Sequence, residues 1–355
     1  MTINQKLLYT LPMQPFMGKT HIKVMHCYLR KRTRKSFLEL ILAAEKGLNA
    51  NFNLLLKKIN SLDVNKHFSP MLYFYYYSVL EALYGQKKDE VDNLCHLLNE
   101  FSIDNFYIQE FLIDNDQNNP IIENQLNYVR SVSNKIETFE QLSTTEYDLA
   151  KKQIAKVFSV IKKTNKKLYN EIQEILAVLH ISKGIFFATA ATSLKYFGMI
   201  ILRYKLLDSE EQQFLYFFDS IIHETSHVFL NLLMTIDPII LNSTELYHSP
   251  ARNVLRPLKG IFHAHFVFFR LIVMYRLAED YLIDIKHSGH HENYSNRPIR
   301  DLPYFYQDRL NAYHIKFKQG EEILLKHAKL TEFGAAFLHS LNLESKNVFS
   351  KTINP

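Results

Sequence analysis

The stretch SEEQQFLYFFDSIIHETSHVFLNLLM, residues 209–234, decides how the chain is read. Apolar residues run through it at helical spacing and leave no polar face wide enough for a surface helix, so it predicts a long buried helix. Asp208 or Ser209 supplies the N-cap, and Glu210 and Glu211 follow in the first turn, where negative charge suits the helix dipole. The helix must end near Asp237-Pro238, because a proline restricts the residue before it and cannot continue the ladder. His223-Glu224-Thr225-Ser226-His227 sits in the middle of this run.

Working outward, most of the chain reads as helix. Apolar residues recur from about Lys35 to Ser61, and a second helix opens at Ser69-Pro70 and stops at Gly85. The interior of that second helix, LYFYYYSVLEAL, is a wide aromatic face best read as core. A further helix is expected over Asp89–Phe101, and the Asp- and Asn-rich stretch Asp114–Pro120 reads as a loop. Ser143-Thr144-Thr145-Glu146 resembles a helix start, and the Lys-rich amphipathic helix after it is expected to run to about Leu179.

Near Gly184 the texture changes to Thr, Ser and Gly among aromatic and β-branched residues, with Phe197–Leu202 the best strand. Leu241–Pro257 reads as a structured loop, Gly260–Leu282 as an apolar helix, and His287–Pro303 as a loop. A last helix covers about Gln307–His327, and the tail beyond it reads as loosely ordered. The expected fold is therefore mainly α with a short β element (α+β): a helical N-terminal part, 1–180, then a zincin-like metal-binding helix region, 181–355.

Composition is that of an ordinary globular chain: 355 residues, 47% hydrophobic and 22% charged. A net charge of +6 suits an anionic substrate or a peptide and gives no reason to expect nucleic acid. The run Lys31, Arg32, Arg34, Lys35 reads as a solvated helix face. Two cysteines, Cys27 and Cys95, share no ligand spacing, which fits a reducing cytoplasm. The first residues lack a charged region followed by a long apolar stretch, so no secretory signal is expected. Ile261–Tyr275, interrupted by His263, His265 and Arg270, is too short and polar to span a bilayer. No membrane partner is expected.

The chemistry concentrates at His223 and His227. Residues four apart lie on one helix face, so the two imidazoles can share one ion, with Glu224 beside it. Burying two imidazoles and a carboxylate among apolar neighbours is costly unless they are paired or bound to metal. Two ligands hold a catalytic ion poorly, and the candidates for a third are His248, His263, His265 and Glu279. A helix through GIFHAHFVFFRL puts His263 and His265 on different faces, so at most one ligates. Arg252 and Arg256, four apart in a Pro-bounded loop, make a candidate carboxylate clamp through their planar forks.

Taken together, His223-Glu-Thr-Ser-His227, Ser249-Pro-Ala-Arg252, Arg256-Pro-Leu-Lys-Gly260 and His263 resemble the HExxH-type peptide β-hydroxylases, which modify ribosomally made peptides. The resemblance covers about residues 185–275. It implies iron(II), 2-oxoglutarate and dioxygen acting on the β-carbon of a residue in a precursor peptide. It also implies His223, His227 and His263 as iron ligands, Arg252 and Arg256 on the distal carboxylate of 2-oxoglutarate, and Glu224 orienting a ligand or a metal-bound water. Recognition of the precursor peptide is then a natural task for residues 1–180. The competing reading is a zinc metallopeptidase in which Glu224 is the general base.

Overall fold

The computed structural model of the chain describes residues 14–108, 110–132, 140–184, 190–282 and 304–350. Its helices are α1 (Lys19–Leu48), α2 (Asn53–Asn60), α3 (Pro70–Tyr84), α4 (Lys88–Glu100), α5 (Pro120–Val132), α6 (Thr144–Thr164), α7 (Lys166–Ile175), α8 (Glu210–Met234), α9 (Leu258–Leu277), α10 (Tyr306–His327) and α11 (Glu332–Ser350). The short strands are β1 (Leu112–Asp114), β2 (Val178–Ser182), β3 (Ala190–Ala191), β4 (Met199–Arg203), β5 (Leu246–Ser249) and β6 (Val254–Pro257). The chain is mainly α with a small β element, as expected.

Two compact units form. One gathers residues 1–21, 143–172 and 204–355, and the other gathers 22–142 and 173–203. Each unit is thus assembled from segments that are not continuous in sequence.

The first unit is built round α9. This helix packs on α8, α10 and α11, and α6 packs on α8. Phe229 of α8 stacks on Phe266 of α9 with ring centroids 5.6 Å apart, and Phe337 of α11 lies 5.7 Å from Phe266. The stretch Ile261–Tyr275, read from sequence as too short and polar to span a bilayer, lies in α9, which by length and composition is long and apolar enough to do so, alone among the described residues, yet 72% of that window is buried inside the structure. Its apolar surface is accounted for by the core. The arginine that interrupts it, Arg270, is itself buried. Its Nη2 donates to Glu171 Oε2 at 2.5 Å, its Nε donates to the Pro15 carbonyl at 2.9 Å, and its guanidinium lies 4.3 Å from the Phe229 ring centroid. Burial pushes the Glu171 carboxyl up, to about 7, against the opposing pull of Arg270.

The second unit packs helices against a four-stranded sheet of order β1-β2-β4-β3, with β1, β2 and β4 parallel and β3 antiparallel to β4. Strand β2, Val-Leu-His-Ile-Ser, is buried at every position, the pattern of a strand covered on both faces. The aromatic face of α3 is core: Tyr73 packs on Phe197 at 5.5 Å, and Tyr75 on Phe101 at 5.3 Å.

Several boundaries differ from the sequence reading. The helix expected from Ser143 to Leu179 breaks at Asn165, whose backbone is not helical and whose side chain caps α7 by accepting from Leu168 N. The chain then enters β2, because burial in a parallel sheet outweighs the helical pattern of the preceding lysines. The strand expected over Phe197–Leu202 begins at Met199, after Gly198 at φ +89°. A Cβ there would stand 3.2 Å from the Ile175 carbonyl oxygen. The loop expected over Leu241–Pro257 holds the β5–β6 hairpin, and the tail forms α11. Gly334 makes the latter packing feasible, since a Cβ on it would collide with the Ile239 carbonyl oxygen. The loop expected over His287–Pro303 lies outside the described residues.

Candidate metal centre

Helix α8 presents the His223–His227 motif. Ser209 caps it by accepting from Gln212 N at 3.2 Å. The two residues inside the motif bond back to their own helix: Thr225 Oγ1 donates to the Ile221 carbonyl and Ser226 Oγ to that of Ile222, each at 2.6 Å. Both hydroxyls are satisfied without reaching the site. His223 and His227 project from the same face with their Nε2 atoms 3.2 Å apart. Glu224 is buried, and its Oε1 stands 3.9 Å from His223 Nε2.

The β5–β6 hairpin leads into the next part of the site. Ser249 pairs with Val254, and Asn253 closes the turn at φ +56°, a left-handed conformation that asparagine tolerates. Strand β6 runs directly into α9, with Leu258 N donating to the Glu245 carbonyl at 2.8 Å. Arg256 therefore stands immediately before α9, and His263 one turn and a half inside it. Gly260 leaves room for the arginine: a Cβ there would come within 3.3 Å of Arg256 Cζ.

Of the four candidates for a third ligand, His263 meets the motif. Its Nδ1 lies 3.1 Å from His227 Nδ1, and the two rings stack at 26°. His265 points elsewhere, as the helical spacing requires, and is bonded to the Phe317 carbonyl at 3.2 Å and Asn342 Oδ1 at 3.3 Å. His248 is exposed on β5. Glu279 follows the end of α9, which lies about 21 Å along the axis from His263 at 1.5 Å per residue.

The three imidazoles form a row. His227 occupies the middle, turning Nε2 to His223 and Nδ1 to His263. Among the described residues, three donor atoms mutually within 4.8 Å occur instead at His26, His67 and Glu174, in the other unit. The donor chemistry of the row nonetheless fits a metal. Ligands round one ion at about 2.1 Å stand about 3.0–3.4 Å apart, which the His223–His227 pair matches. Burial holds His223 at about 4 and His263 at about 3, and depresses His227 further with help from both neighbouring imidazoles. All three are neutral near pH 7, the form that ligates. His263 Nε2 is buried with no hydrogen-bond partner, a donor atom that a ligand would satisfy.

The electrostatics join the hairpin to the helix. Arg252 acts on His223, Glu224 and His227, and Arg256 on His227 and His263. Burial lowers Arg256 itself, with Arg252 contributing the same way. Burial also raises the Glu224 carboxyl to about 8, opposed by Arg252. Two guanidiniums thus bear electrostatically on the three neutral imidazoles and on Glu224.

One constellation escaped the sequence reading. Asp219, a turn before His223, is buried and accepts hydrogen bonds from Tyr275 at 3.0 Å and from Tyr313, while Arg309 Nη1 stands 3.4 Å away. Burial, with Asp219 adding to it, raises both phenols. The cluster ties α8, α9 and α10 together beneath His223. A buried acid four residues before the motif was a signal, but its partners lie 56 and 94 residues away and no spacing announces them.

A scan against protein-family models and a search of curated proteins gave no match to this chain.

Proposed function

We propose that the chain is an iron(II)- and 2-oxoglutarate-dependent oxygenase that hydroxylates the β-carbon of a residue in a ribosomally made precursor peptide. The observation that carries this reading is the company His223 and His227 keep: a third histidine, His263, at 3.1 Å and two guanidiniums from the adjoining hairpin. His223, His227 and His263 would hold the iron, which would supply activation of dioxygen. Arg252 and Arg256 would bind the far carboxylate of 2-oxoglutarate through charge-assisted hydrogen bonds and so fix which end faces the histidines. Glu224, buried beside His223, orients a ligand and stays out of proton transfer. A cytoplasmic location and a peptide partner belong to the same proposal, as does precursor recognition by the N-terminal residues.

One observation favours a second reading. Glu224 is buried next to His223 with its carboxyl raised to about 8, the setting of a general base in a zinc peptidase. Anaerobic purification, metal analysis and incubation with 2-oxoglutarate and dioxygen separate the two. Bound iron and succinate release, with one oxygen atom added to the peptide, support the oxygenase. Tight zinc, no succinate and a cleaved peptide overturn it. Glu224→Gln abolishes a peptidase and leaves measurable turnover in the oxygenase.

A further inference from the structure

The second unit carries its own convergence of donors. His26 on α1, His67 in the segment before α3, and Glu174 in the last turn of α7 bring one ligand atom each within 4.8 Å of the others. We propose that these three residues hold a divalent transition-metal ion, zinc by the chemistry of the donor set, at a site separate from His223 and His227.

Geometry carries the argument. His26 Nδ1 lies 3.2 Å and His67 Nε2 3.5 Å from the same oxygen, Glu174 Oε1. Ligand atoms of a tetrahedral zinc at about 2.05 Å stand about 3.3 Å apart, between those two separations. Two imidazoles and one carboxylate, with a fourth position open, is a donor set that zinc takes in proteins. His26 is almost fully buried. Access comes through His67. About a third of its side chain is exposed (35%), and it lines a cleft of about 750 Å³ together with Asp104, Tyr107, Glu110 and Gln173.

The simpler alternative is that Glu174 serves only to neutralise buried Arg30. The distances disfavour it. An arginine–carboxylate pair made for its own sake closes to about 2.8 Å, often with both nitrogens. Arg30 Nη1 stands 3.6 Å from Glu174 Oε1 and has no hydrogen-bond partner, while Arg30 Nε donates to the Val64 carbonyl at 2.7 Å. The imidazoles hold the nearer places on that oxygen. Arg30 adds a positive charge near the carboxylate without occupying those places.

The test uses the full chain, stripped with a chelator and titrated with cobalt(II), whose visible absorption reports coordination. The double variant His223→Ala/His227→Ala leaves the second unit's site as the one under observation, so failure of the oxygenase reading does not affect the outcome. One equivalent bound with the strong absorption of four-coordinate cobalt is expected. Adding His67→Ala should weaken that binding at least tenfold while helical circular dichroism is unchanged. No cobalt bound by the double variant, or binding indifferent to His67→Ala, overturns the proposal. Anomalous diffraction at the zinc edge from zinc-soaked wild-type crystals gives a reading that needs no variant. A peak among His26, His67 and Glu174 supports the site, and its absence there overturns it.

Discussion

His223 and His227 stand one turn apart on a single helix, whereas His26 and Glu174 are 148 residues apart and His67 comes from a third segment. The first cluster has neutral imidazoles in a row with cationic guanidiniums around them; the second has two imidazoles converging on one carboxylate oxygen. A carboxylate at the centre draws donors inward. A row of neutral rings has no such charge to organise it, and its spacing follows from the helices alone. The cluster with the recognisable motif is therefore a row, and the cluster with no motif is the one whose three donors converge.

Substitutions can break that contrast. The largest effect expected is from His227→Ala, which removes the middle ring of the row. Metal at the first site and 2-oxoglutarate turnover should both fall to background, while the unfolding midpoint moves little; assay of bound iron with succinate release checks it. Glu174→Ala should do the reverse. It leaves Arg30 buried without a carboxylate, so a stability loss of about 3–5 kcal/mol is expected in denaturant unfolding, with metal at the first site retained.

Arg256→Ala and Arg252→Ala come next. Loss of a hydrogen bond to a charged group is worth about 1.5–3 kcal/mol, so each should raise the 2-oxoglutarate requirement roughly tenfold or more and leave iron content unchanged. A KM that does not move in either variant removes the clamp. A smaller effect is expected from pH. Without metal, His26 in one cluster and His223 in the other are held near 4 by burial, below the unfolded value of about 6.5. Between those values the unfolded chain binds protons that the folded imidazoles refuse, so stability falls as pH falls through that window. Unfolding midpoints at about pH 7 and about pH 5 test the sign, and saturating metal should steepen the loss because protons then compete with the ion. The smallest effect is expected from His248→Ala, on an exposed strand position, which should change neither metal content nor stability measurably.

How much was legible varies by residue. The α8 helix, its Ser209 cap and its end before Pro238 were readable, because caps and prolines act within a few residues. The opposed directions of His263 and His265 followed from helical period. That His263 meets His227 while Glu279 does not was settled by how α9 lies along α8. The hairpin carrying Arg252 and Arg256 read only as a loop, since its pairing joins Tyr247 to Arg256 and depends on neighbours nine residues apart. Strand β2 was absorbed into a preceding helix, because a fully buried strand has no alternation to mark it. Asp219's partners, Arg270's burial against Glu171, and the whole of the His26–His67–Glu174 cluster left no local trace.

The sequence by itself determined the helical class, the placement of His223, Glu224 and His227 on one buried helix, and the two arginines four apart before the next. These are consequences of period, capping and chain stiffness, which act over a turn or two. Only the tertiary structure decided which histidine stands against the motif, and which buried charge each acid answers. It also decided that a second set of metal-ligand donors converges in the other unit. Such contacts form where segments far apart in sequence are brought together by burial, and burial is a property of the packed chain.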